Sequence, residues 1–77
     1  MNKERRKRIE KAIEKLEEVK GELESIAGEE QEAYDNLPES LQDSERGETM
    51  SDNVDDLECA IDYLDDAISS LNDVLDR

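Results

Sequence analysis

From Met50 to Leu75 the apolar residues Met50, Val54, Leu57, Ile61, Leu64, Ile68, Leu71 and Leu75 follow one another in unbroken steps of four and three. A strand turns its side chains over at every residue and cannot hold such a series on one face, whereas an α-helix of 3.6 residues per turn does. The second part of the chain is therefore expected to be one long helix over about 45–76. Val54, Ile61, Ile68 and Leu75 form one seam row, and Met50, Leu57, Leu64 and Leu71 the other. Ala60, Ala67 and Val74 broaden the stripe.

A heptad also runs through the first part. Ile9, Leu16, Leu23 and Leu37 mark one seam row, and Ala12, Val19, Ile26 and Ala33 follow three residues after each expected position of that row. Glu30 interrupts it, while Ile13, Ala27 and Tyr34 widen the stripe on one flank. The spacing predicts a helix over about 2–35. Gly21 and Gly28 fall opposite the seam, where each costs about 1 kcal/mol of helix propensity without loss of packing.

The intervening segment 36–44 contains the only proline, Pro38. Proline disfavours helical geometry in the residue before it and lacks an N–H, so it ends the first helix while fitting the first turn of a following one. Asn36 with Glu39 reads as a capping box, and Ser44 as the cap of the second long helix. A short helical turn is expected over 38–42, with Leu37 and Leu41 closing the end of the bundle.

Two helices of similar length joined so briefly must lie antiparallel, giving an all-α, coiled-coil-like two-helix hairpin as a single domain over 1–77. The basic run at residues 3–8 and the acids Asp73 and Asp76 each oppose the macrodipole of their own helix, and the hairpin brings the two ends together. Two helices bury only one stripe each, and domains this small gain little from a single core. Dimerisation into a four-helix bundle is expected to cover the flanking residues Ile13, Tyr34, Ala60, Ala67 and Val74.

Charge narrows the partners. The chain carries 24 acidic and 10 basic side chains, net −14, with residues 1–20 at +3 and residues 21–77 at −17. Such a surface repels nucleic acid and anionic membrane, and the basic run Lys3, Arg5, Arg6, Lys7 and Arg8 is short and has no aromatic residue for base stacking. No segment reaches the ~20 apolar residues of a membrane span. The single cysteine, Cys59, and the absence of an apolar leader read as cytoplasmic.

Carboxylates are the only abundant functional group, and on the second helix they face outward. With no histidine and no calcium-loop order of ligands, neither a di-metal nor a calcium site is expected. Cys59 lies opposite the seam with no basic neighbour on its helix to activate it. No phosphate loop, triad or zinc spacing occurs, so neither an enzyme nor a cofactor is expected. Asp55, Asp62, Asp65 and Asp66, with Tyr63 beside them, remain as the candidate protein-binding surface, since tyrosine is favoured at interfaces and dense acid speeds encounter with a basic partner.

The segment Asn36-Leu37-Pro38-Glu39-Ser40-Leu41-Gln42-Asp43-Ser44-Glu45-Arg46-Gly47-Glu48, followed by an acidic heptad, resembles a group of small acidic helical-hairpin proteins of unknown function from phages and prophages of Gram-positive bacteria. The resemblance implies a context in the bacterial host cytoplasm, where short acidic phage proteins bind and inhibit host proteins, defence components among them. It carries no site residue over. The expected function is thus a protein-binding module, an inhibitor acting through its helix faces and turn on a host protein and associating with its own copy. The alternatives are an acidic mimic that blocks a nucleic-acid groove and an oligomerisation element with no foreign target.

Overall fold

Asn2 starts the first helix: its side-chain oxygen accepts the Arg5 N–H at 2.8 Å, satisfying one of the donors that a helix N-terminus leaves free. The computed structural model describes residues 1–77 as three helices, α1 (Lys3–Asp35), α2 (Glu39–Gln42) and α3 (Glu45–Asp76). The long helices α1 and α3 run antiparallel as a rod of 58 × 15 × 13 Å. Both boundaries of the connection follow from the residues there. Pro38 breaks α1, and the Ser44 side chain accepts the Gly47 N–H at 3.4 Å to cap α3.

The expected capping box does not form. Asn36 keeps helical dihedrals and closes α1, its N–H donating to the Glu32 carbonyl at 3.0 Å. Because proline restricts only the residue before it, the break falls at Leu37, and Pro38 itself takes the N-cap position of α2 with no side-chain cap. Gln42 supplies the tie instead, its amide donating to the carbonyls of Tyr34 at 3.4 Å and Leu37 at 3.3 Å. Leu37 is half-buried at the end of the rod, but Leu41 is 43% exposed and closes nothing.

Three contacts fix the register between the long helices. Arg6 donates to the Leu75 carbonyl, Lys20 pairs with Asp65 at 2.6 Å, and the Asn53 amide donates to Glu30 at 2.8 Å. The basic end of α1 therefore meets the terminal carbonyls of α3 rather than Asp73 or Asp76. A guanidinium there complements the negative end of the α3 dipole.

Helix α1 is rotated relative to the heptad reading. Its buried positions are Ile13 and Ala27, with Ile9, Leu16, Lys20, Leu23 and Glu30 half-buried. Ile13 and Ala27 are thus core rather than flank. Val19 and Ile26, expected in the seam, are 49% and 41% exposed. The apolar arc of α1 spans three adjacent rows, and one facing helix covers only about two of them. On α3 the expected seam is the observed one, centred on Val54, the most buried apolar side chain at 5% exposed.

That seam extends one turn further than the apolar pattern indicates. Gly47 lies seven residues before Val54 and is buried where α3 passes the backbone of α2. A Cβ at Gly47 would stand 2.6 Å from the Gln42 carbonyl carbon and 2.7 Å from the Leu41 carbonyl oxygen. Only glycine permits this approach.

Candidate functional site

The two sides of the hairpin differ in chemistry. On one, Ala27 and Val54 lie at the floor of a shallow groove rimmed by Glu24, Gln31, Glu58 and Asp62, and Lys20 bridges to Asp65. This side is polar. On the other, Ile26 and Leu57 line a groove with Glu29, Glu30, Asn53 and Asp56. Heptad spacing extends this second side along the rod: Ala12 and Val19 share a row with Ile26, Leu64 and Leu71 with Leu57, and Ala60, Ala67 and Val74 with Asn53.

This apolar strip is open. Ala12 and Ala67 are exposed, and Leu57, Ala60, Leu64, Leu71 and Val74 are only half-buried. Only Ile13, Ala27 and Val54 make up the buried apolar core, and no large side chain is fully buried.

The residues singled out in the sequence divide between these surfaces. Asp55, Asp62 and Asp66 are exposed on α3, Asp62 on the rim of the polar groove. Asp65 already holds Lys20, which sets it apart from the free acids. The hydrogen bond to Asp65, against a smaller opposing desolvation, raises the Lys20 pKa above its ordinary 10.5, with the charges of Asp65, Glu24 and Glu17 adding to it. Tyr63 is 74% exposed and sits one helical turn from both Ala60 and Ala67, at the edge of the open strip. Of the candidates for self-association, Ala60, Ala67 and Val74 lie along that strip. Ile13 is consumed by the hairpin's own core, and half-buried Tyr34 lies in the same row as Ile13 and Ala27.

No three carboxylate or thiol groups come together as metal ligands, and Cys59 is exposed. The chain matches no family model, no curated protein and no solved structure. The site therefore rests on its own chemistry.

Sequence reasoning missed the Glu30–Asn53 contact, although a signal was present. Each residue interrupts an apolar row of its own helix, and the two are equidistant from the middle of the turn between Leu41 and Gln42. Two polar interruptions at one level and on one side of a hairpin stand within reach of each other and pair across it.

Proposed function

We propose that this chain is a non-enzymatic protein-binding module, a helical hairpin that completes its apolar core against another polypeptide, its own second copy first, and offers an acidic outer surface to a bacterial host protein. The open apolar strip carries the reading. A compact monomer of 8.8 kDa exposes about 4,800 Å² by the scaling of surface with mass, and this chain exposes 5892 Å². The excess, about 1,100 Å², exceeds the ~800 Å² that each partner contributes to a standard protein interface.

The acids Asp55, Asp62 and Asp66 are exposed and free of intramolecular ion pairs, and they suit a basic partner. The likeness of residues 36–48 to phage-encoded proteins supports a host protein as that partner and the cytoplasm as the place of action. A second reading, mimicry of nucleic acid, is favoured by one observation: residues 21–64, the half of the rod nearer the turn, carry fifteen acidic side chains and one basic.

Affinity capture from a bacterial lysate tests both surfaces by comparing the wild type with Ile26→Lys and with the triple variant Asp55→Asn, Asp62→Asn, Asp66→Asn. The expected result is a partner retained by the wild type and lost by the triple variant. Retention that collapses with salt and is competed away by duplex DNA selects mimicry. A chain that retains nothing and stays monomeric at high concentration overturns the module reading.

A further inference from the structure

We infer that the open strip is the interface of a two-fold symmetric dimer in which the two rods lie antiparallel, α1 against the partner's α1 and α3 against the partner's α3. The inference rests on the reading of the strip as a binding surface and adds the occupant and its orientation.

The first argument is charge. Residues 21–64 hold the whole net charge of −14, whereas the two free-end segments, 1–20 and 65–77, together hold nine acidic and nine basic side chains. Each rod is therefore neutral at one end and strongly negative at the other. Two copies laid parallel would stack the acidic halves face to face, and antiparallel copies set them at opposite ends of a 58 Å rod. In the antiparallel arrangement the centres of the acidic halves stand about half the 58 Å rod apart, more than about three Debye lengths at physiological salt, ~8 Å each.

The second argument is the pattern along the edge of the strip. Arg8, Lys15, Glu22 and Glu29 recur every seven residues on α1, and all four are exposed. Arg8 shares a groove with Ala12 and Ile9, and Glu29 shares one with Ile26, so the row borders the strip at both ends. When such a row meets its own copy antiparallel, Arg8 comes opposite the partner's Glu29 and Lys15 opposite the partner's Glu22. Two-fold symmetry then repeats each pair. Flanking charges of this kind set orientation in helical bundles.

The apolar residues obey the same two-fold axis. Val19 meets its own copy, and Ala12 faces the partner's Ile26, small against large. Across the hairpin, Val19 stands level with Leu64, since Ile26 lines one groove with Leu57 and the helices run antiparallel. About Leu64, Leu57 pairs with the partner's Leu71, and Ala60 with the partner's Ala67. Both helices thus place the axis at one level without being adjusted to do so. A parallel arrangement would put α1 over the partner's α3 and bring Glu29 toward the partner's Asp56.

Sedimentation equilibrium on charge-reversed variants is the test. Arg8→Glu/Lys15→Glu and Glu22→Lys/Glu29→Lys should each weaken the dimer about tenfold or more, and an equimolar mixture should restore a heterodimer of wild-type affinity. The second variant discriminates sharply. It lowers the net charge, so general repulsion alone would tighten the dimer, and tightening overturns the proposed pairing. Spin labels at Ser40→Cys in a Cys59→Ser background should lie near the 58 Å length of the rod. A dimer with labels within ~25 Å, as two packed helix pairs would place them, overturns the orientation and leaves the binding strip standing. A chain that is monomeric at high concentration overturns the dimer itself, and the lysate capture with Ile26→Lys then reports on the strip separately.

Discussion

Gly47 and the two glycines of α1 make opposite demands on an alanine. At Gly21 and Gly28 an added methyl meets nothing within 4 Å, so Gly21→Ala and Gly28→Ala should each stabilise the helix by about 0.5–1 kcal/mol. Gly47→Ala gains the same propensity but drives its methyl into the Gln42 carbonyl, and the net effect should be a loss of about 1–3 kcal/mol. Urea midpoints of the three variants check this, and a neutral Gly47→Ala would mean that α2 shifts freely. Lys20 makes a second residue-level prediction. Pairing with Asp65 raises its pKa in the folded chain, so the stability from that contact is complete below 10.5 and disappears as pH climbs through the raised value. The gap in midpoint between wild type and Lys20→Met should therefore be constant up to about pH 10 and narrow above it.

At the scale of elements, the limits of the helices were legible in the sequence and the rotation of α1 was not. Pro38 and Ser44 act on their own neighbours, so their effects need no knowledge of the fold, and α1 and α3 begin and end within a residue of the expected positions. The rotation depends on which two of three adjacent apolar rows meet the other helix. Ala12, Val19 and Ile26 are as apolar as Ile13 and Ala27, so composition cannot choose between the rows. The cross-hairpin contacts mark the choice: Lys20 lies in the row of Ile13 and Ala27, and it pairs with Asp65 with that row turned toward α3. Gly47 carries no apolar side chain to mark a seam, so the apolar pattern stops one turn short of it. The candidate surface was partly legible, since the Ala60, Ala67 and Val74 row does border the strip, while Ile13 does not. A mutational contrast follows from the rotation. Ile13→Ala removes core and should cost about 2–4 kcal/mol at every protein concentration. Ile26→Asp leaves the hairpin's own seam intact, so it should matter chiefly where chains associate. Thermal melts at 5 µM and at 500 µM (on the order of a hundredfold apart) distinguish the two, because association raises the melting temperature only with concentration.

For the whole molecule the controlling quantity is the distribution of charge along a thin rod. A hairpin 13–15 Å thick has too little interior to hide its apolar strip, and lateral association thickens it without lengthening it. The radius of gyration of one chain is 17.4 Å. Two rods packed side by side about 10 Å apart raise it to only about 18 Å, whereas two rods joined end to end raise it to about 34 Å. X-ray scattering across a dilution series should therefore show the mass doubling while the radius of gyration grows by about 1 Å, as lateral packing at helix spacing requires. The same geometry governs the response to salt. In the proposed antiparallel dimer the acidic halves lie toward opposite ends, so their repulsion is already largely screened at 0.1 M, and the paired edge charges would lose a little as ionic strength rises. These opposing effects are both small, so the dimer Kd should change by less than about tenfold between 0.1 M and 1 M salt. Stacked acidic halves would instead make association tighten steeply over that range. The slope of Kd against salt thus reports which ends of the rods are neighbours, independently of any substitution.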